Sequence, residues 1–315
     1  MLVGLDLGSS VVRLVESGRG GVLRHPAVVA QDHHFPDVLA VGETALRMQG
    51  RMPDHLTACR PVTRSRLGSP HAARLLLQPF MGKLSRRWSR PSVVVALPLS
   101  SSHTERAATV DLLKAAGART VEAVETPLAA GVGSVPAGKD PPPMVLSLGA
   151  STTEAAVLCK GLVVSDWIGF GGQSLDQALM RHLRLQHGLE VSSEAAEELK
   201  RSIGSADPAH DGLSLRVHGR ELSTRLPHSA VLTGEEVRQV LAEPLAPILR
   251  LLRTTLDRTP PAMAGEVLQH GVTLTGGAAQ LHGLDRWLAR ETGMPVQVAE
   301  DPENAVVRGT LGKWG

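Results

Sequence analysis

The chain contains no tyrosine, 3 phenylalanines and 2 cysteines in 315 residues. Cys59 and Cys159 stand in unrelated contexts, which excludes a disulfide framework and suits a reducing cytoplasm. No apolar run approaches the roughly 20 residues that a membrane-spanning helix needs. Met1-Leu2-Val3-Gly4-Leu5-Asp6 runs straight into a strand pattern, without the basic start and apolar core of a secretory signal. A cytoplasmic protein is therefore expected. Neither sign of charge is in excess: a formal net charge of +2 excludes a strong general attraction to nucleic acid. The scarcity of aromatics, with arginine well ahead of lysine, reads as a codon bias towards GC-rich DNA and not as function. What remains, 42% hydrophobic and 20% charged residues, is ordinary for a soluble globular chain long enough for two domains.

Strand-like and helix-like segments alternate. Residues 2–7 form a short apolar strand that breaks at Gly8-Ser9-Ser10, and 11–15 resume it, as in a hairpin. Residues 92–97 are almost continuously apolar, as in a strand covered on both faces. Ser102-His103-Thr104-Glu105 has the spacing of a capping box, and the helix it opens stops at Gly117. Residues 120–124 read as a strand and 127–132 as the start of a helix. Lys139-Asp140-Pro141-Pro142-Pro143 is the clearest linker, because successive prolines sit inside neither helix nor sheet. Beyond it the opening pattern returns: strand 144–148, the small-residue turn Gly149-Ala150-Ser151-Thr152-Thr153, and strand 154–158. Two such hairpins, roughly 140 residues apart, point to a duplication into two lobes. Amphipathic helices are expected at 174–187, 193–203 and 235–255, the apolar stripe of the last being core. A third turn, Thr275-Gly276-Gly277-Ala278-Ala279, lies near the end.

Two hairpin turns facing each other can cradle a polyphosphate through their backbone N–H groups, and such turns favour Gly, Ser and Thr because the backbone must approach closely. Asp6, just before Gly8-Ser9-Ser10, stands where it can hold Mg2+ through water. Each turn alone is common; their order, spacing and strand contexts together are not.

These motifs resemble the MreB/Mbl family of bacterial actin-like cell-shape proteins over essentially the whole length. Val3 to Ser9 resembles its first phosphate motif and Gly149 to Ala156 its second. Val41-Gly42-Glu43, Gly50-Arg51-Met52-Pro53 and Arg60-Pro61-Val62 resemble the segment forming a small outer part of the first lobe. Glu125-Thr126-Pro127, Ala195 to Lys200, Leu274 to Ala278 and Val298 to Pro302 follow the family in turn. The resemblance implies an α/β, actin-like (ribonuclease-H-like, duplicated) two-lobed ATPase fold. Its first lobe would be residues 1–138, with an outer subdomain at about 32–75. The second would be 139–315, with about 303–315 returning to the first. It implies ATP and Mg2+ held by Asp6, Gly8, Ser9, Ser10, Gly149, Ala150, Ser151, Thr152, Gly276, Gly277 and Ala278. Glu197 and Lys200 would face the ribose from one helical face.

The chain departs from the family at two places. Ser147 stands where an acidic residue is expected to help hold the metal's water shell. Ala150 and Ser151 replace glycines, and a Cβ disfavours the positive φ such a turn often needs. Thr126 stands where the family's Glu before Pro orients the attacking water, and a hydroxyl cannot act as a carboxylate base near neutral pH. Glu125 is adjacent, but neighbours on an extended strand point to opposite faces. Weak or absent hydrolysis is expected.

Lys83-Leu84-Ser85-Arg86-Arg87-Trp88-Ser89-Arg90 combines four basic residues with Leu84 and Trp88. Basic side chains gain on the order of 1 kcal/mol each near anionic lipid, and Trp prefers the interface. In the family a loop here can insert into the membrane, so Leu84, Arg86, Arg87, Trp88 and Arg90 are the candidate anchor. His33-His34 has no carboxylate or cysteine cluster at ligand spacing. Three functions compete. One is a filament protein at the inner membrane face, guiding wall synthesis with membrane partners. Another is a nucleotide-independent scaffold for wall-synthesis proteins. The third, a kinase or chaperone-type ATPase, lacks any substrate- or peptide-binding insertion.

Overall fold

The computed structural model describes the chain except residues 33–37, 51, 54, 64–65, 68–69, 86–89, 137 and 313–315, with backbone alone at 66–67, 70 and 79–85. Two five-stranded sheets carry the molecule. In the first, Leu2–Leu7 pairs antiparallel with Val11–Glu16, which pairs with Val22–Pro26; on its other side it runs parallel to Ser92–Leu97 and then Thr120–Glu125. The second repeats this order with Met144–Leu148 at the centre. Thr153–Leu158 and Leu162–Ile168 follow antiparallel on one side, Val272–Thr275 and Val296–Val298 parallel on the other. The duplicated hairpins expected from the sequence thus occupy equivalent places in two like sheets.

Local chemistry explains where elements begin and end. The Ser102 hydroxyl accepts from the Glu105 N–H, and the Glu105 carboxylate accepts from the Ser102 N–H at 2.8 Å, opening helix His103–Ala115. Gly117, at φ 110°, follows its end. Helix Gly234–Asp257 turns the stripe Val237, Leu241, Leu245, Ile248, Leu251 and Leu252 into the second core, which holds it together despite Pro244 and Pro247. Helix Ser193–Ile203 lies where its periodicity places it. The sequence pattern did not signal helix Pro70–Ser85, which takes in Lys83, Leu84 and Ser85 where a loop was expected. Nor did it signal the sheet of Leu189–Glu190, Ser214–Glu221 and Pro227–Thr233.

Each large sheet has its own core, and a third apolar cluster joins them. Val94, Ala96, Val124, Ala129 and Ala130 meet Val145, Ala156, Leu158 and Val306 there. Small residues dominate because backbones touch. A Cβ on Gly309 would lie 1.7 Å from the Ala129 carbonyl, and one on Gly133 1.9 Å from that of Ala305. Helix Ala305–Gly309, near the chain's end, thereby docks on helix Thr126–Gly133 and under Gly4 of the first strand. A smaller sheet, Val38–Val41, Val29–Asp32 and Leu56–Cys59, with helix Glu43–Met48, builds an outer unit around Val28, Ala30 and Ala45.

Candidate functional site

The two hairpin turns meet. The Ser9 and Ser151 hydroxyls share a hydrogen bond of 2.7 Å across 142 residues of sequence. Gly8 sits where a Cβ would approach the Val11 carbonyl to 2.6 Å, so the first turn can only be this tight with glycine. The second turn is closed by the Gly149 N–H donating to the Thr152 carbonyl at 2.8 Å. Neither Ala150 nor Ser151 takes a positive φ, so the strain expected from replacing glycine at those positions does not arise. Behind this turn, Gly172 and Gln173 at the start of helix Gly172–Gln186 donate their N–H groups to the Gly149 and Ala150 carbonyls. The helix start is thereby seated on the turn.

Two carboxyls lie beside the turns, Asp6 half-buried and Glu154 buried. Asp6 is pushed above the ordinary range by burial, against the opposing charge of Arg13, whose guanidinium lies 3.7 Å away. Glu154 is 1% exposed, and burial pushes it up to about 8, with Asp6 adding repulsion. Its Oε1 accepts from the Leu99 N–H at 3.0 Å, while its Oε2 has no partner among the described residues. In register it neighbours Ser147, which neighbours Thr275 in turn, so the three project from one face of the second sheet. Thr275 Oγ1 is likewise buried without a partner among the described residues. Glu154 lies within the second motif, yet nothing in its spacing marked it as the carboxyl set beside Asp6; only strand register and packing do so.

Further polar contacts surround the turns. Arg60 donates to the Ser9 and Ser10 carbonyls at 3.2 Å each, and burial lowers its pKa against the nearby charges of Glu197, Glu194 and Asp176. Gln49 Nε2 donates to Ser193 Oγ at 3.3 Å. The two residues expected to share a helical face diverge in use. Lys200 bends to Asp176 at 2.7 Å and to the Gly172 carbonyl at 3.1 Å, fixing the start of the helix behind the second turn. Glu197 stays 44% exposed beside Arg201, at 3.4 Å. Glu303, not marked by sequence reasoning, lies within 3.5 Å of Arg13 and 3.0 Å of Arg24 and accepts from Gln280 at 2.8 Å.

The third turn places Gly276 at φ 86°, where a Cβ would meet the Leu148 carbonyl at 2.2 Å. Gly277 and Ala278 open the short helical turn Gly277–Gln280 against the second hairpin. Thr126 is the first residue of helix Thr126–Gly133, and Glu125 the last of its strand. The two residues thus sit at a strand-to-helix corner and not on one extended strand. Glu125 is occupied at that corner, accepting from Arg106 at 3.3 Å.

The MreB/Mbl protein family model matches residues 1–313. The chain belongs to the MreB/Mbl family. It is 36% identical to the cell shape-determining protein MreB of Escherichia coli K12, over 97% of this chain and 90% of that protein. It is 33% identical to the cell shape-determining protein Mbl of Bacillus subtilis 168, over 98% and 94%. Its structure superimposes on MreB5 of Spiroplasma citri bound to ADP with a TM-score of 0.92, at 28% identity over 98% of this chain and 94% of that one. The same protein bound to AMPPNP gives 0.90 at 27% identity, with the same coverage. The fold is accordingly actin-like, as the motifs implied.

Of the candidate anchor, Leu84 lies in the last turn of helix Pro70–Ser85, Arg90 is exposed, and Arg86, Arg87 and Trp88 lie outside the described residues, as do His33 and His34. Among the described residues no helix is long and apolar enough to cross a membrane.

Proposed function

We propose that this chain is an actin-like cytoskeletal protein that binds ATP between its lobes, assembles into filaments of its own copies, and hydrolyses the nucleotide weakly or not at all. The observation that carries the reading is the apposition of two phosphate-type turns, bridged by Ser9 and Ser151, beside the half-buried Asp6 and the buried Glu154, with Thr126 at the start of the next helix. Its relatives support it: they are named for determining cell shape, and one is described with ADP and with AMPPNP. The residues present fit Mg2+. Asp6 and the partnerless Oε2 of Glu154 are the hard oxygen donors such an ion takes, directly or through water. When bound, the ion would neutralise the phosphate charge. The backbone N–H groups of Gly8 to Ser10 and of Ala150 to Thr152 would cradle the phosphates, with Gly149 closing the second turn behind them; Gly276 to Ala278 would border the adenosine side, with Glu197 and Lys200 near the ribose. Thr126 can hydrogen-bond a water but not deprotonate it.

The test is sedimentation and phosphate release on the purified chain. ATP-dependent polymer with slow release is expected; turnover typical of a carboxylate-equipped ATPase would overturn the hydrolytic part. Assembly indifferent to ATP would favour a second reading, a nucleotide-independent scaffold for wall-synthesis proteins. That reading has its own observation: Arg13 already engages Asp6, and Ser147 brings no charge to the metal side.

Function at the inner face of the cell membrane, organising wall synthesis through membrane partners, is the wider form of the proposal. It rests on Leu84, Arg86, Arg87, Trp88 and Arg90. Trp88→Ala combined with Arg86→Glu and Arg87→Glu should abolish binding to anionic liposomes, and unchanged binding would remove this anchor.

A further inference from the structure

Helix Gly172–Gln186 is capped by His187, whose N–H still donates to the Leu183 carbonyl, and His182 lies in its last turns. Opposite them begins helix Gly234–Asp257. The Thr233 hydroxyl caps the Glu236 N–H at 3.2 Å, which fixes the first turn and aims the Glu236 side chain outwards. All three side chains converge. Glu236 Oε1 lies 2.7 Å from His182 Nε2 and 2.6 Å from His187 Nε2, and the two imidazoles meet edge to face with centroids 5.6 Å apart. The three potential ligand atoms lie within 4.8 Å of one another. Of the three, His182 also lines a cleft of about 220 Å³, together with Arg181, Gln186, Gln239 and Glu243.

We propose that His182, His187 and Glu236 form a binding site for a zinc-class divalent cation, with a fourth position open to water from the cleft. The chemistry of the set decides the class. Two imidazoles and one carboxylate suit Zn2+, whereas Mg2+ and Ca2+ prefer all-oxygen shells. Ligand bonds of about 2.0–2.2 Å in a tetrahedron need donors roughly 3.3 Å apart. The present contacts must therefore open by about 0.7 Å, a side-chain adjustment that the adjoining cleft leaves room for. Each histidine presents Nε2 as the ligand atom, so its ring proton must reside on Nδ1 in the bound state.

The site lies apart from the nucleotide cleft. The 15-residue helix that ends here starts on the second phosphate turn, roughly 22 Å away. A cation would clip that helix to the start of helix Gly234–Asp257 and stiffen the second lobe. The sequence alone shows only a His-x4-His pair and a glutamate some 50 residues later, which is no recognised ligand spacing.

The test uses the full chain, stripped with EDTA and free of nucleotide, titrated with Co2+ by visible absorption and with Zn2+ by calorimetry. One tight equivalent, a cobalt spectrum of tetrahedral intensity and a raised melting temperature in Zn2+ are expected. His182→Gln and Glu236→Gln should each weaken binding about 100-fold or more, since even outer-shell partners are worth 10–100-fold. His228→Ala, on the exposed strand Pro227–Thr233, should leave binding unchanged. No binding by the wild type, or equal binding by wild type and site variants, would overturn the proposal. Circular dichroism of each variant separates loss of a ligand from loss of the fold: a variant that is folded and still binds tightly also counts against it. Should the glutamine variants fail to fold, diethyl pyrocarbonate modification of the wild type decides. Zn2+ must protect two histidines, and no protection refutes the site.

Discussion

Replacing Glu154 by glutamine should stabilise the protein at alkaline pH and leave it unchanged at acid pH. The carboxyl is 1% exposed and retains its proton to about pH 8 in the folded state, while in the unfolded chain it ionises near 4.5. Between those values the folded state binds a proton that the unfolded chain has released, so its contribution to stability falls as pH rises through the window. At about 1.4 kcal/mol per pH unit the cumulative cost reaches roughly 5 kcal/mol by pH 8 and levels off above it. Glutamine keeps an oxygen for the Leu99 N–H and cannot ionise. Denaturant unfolding in EDTA without nucleotide, at pH 5, 6.5, 8 and 9, measures the difference between variant and wild type. It should be near zero at pH 5 and grow to several kcal/mol by pH 8. A difference that is flat across the range would refute the assignment of a buried, proton-retaining carboxyl. Adding Mg–ADP at pH 8 should shrink the gap, because a cation beside Glu154 favours its ionised form.

Other consequences can be checked on the same protein. Thr126→Glu should raise phosphate release by about 100-fold or more, the usual range for a positioned general base, and an unchanged rate would place the deficit elsewhere. A double-mutant cycle of Ser9→Ala and Ser151→Ala should give a coupling of about 1 kcal/mol in the nucleotide-free protein, and zero coupling would mean the lobes do not meet there. Asp207 is held down to about 2, first by its hydrogen bond from Arg286 and then by Ala209 and Ser205, against burial. Its contribution is present above its ordinary value of 3.8 and lost as pH falls through about 2, so Asp207→Asn should flatten the acid limb of the stability curve. Leu183→Ala, at a side chain fully buried in the second core, should cost about 2–5 kcal/mol by chemical denaturation.

Much of the fold was legible because its signals are local. The strands at 2–7, 92–97 and 144–148, the Ser102 box and the helix Ser193–Ile203 rest on periodicity and capping, which a single stretch of chain carries. Helix Pro70–Ser85 was missed, and its Gly82 and proline-rich neighbourhood explain why the pattern was obscured. The family motifs carried the turns, yet left the use of individual side chains open. Lys200 serves Asp176 and the start of a helix, and Glu125 is spent on Arg106.

The sequence by itself determined the duplicated α/β plan, the place of the small-residue turns and the threonine that stands before Pro127, since backbone preference and residue identity are properties of the chain. Tertiary structure decided what meets across distance. It set Ser9 against Ser151, turned Glu154 beside Asp6 into a proton-retaining acid, and gathered His182, His187 and Glu236 from two helices. The reason is physical: a hydrogen bond, a desolvated charge or a ligand set depends on distance and burial, and neither exists until sheets and helices have packed.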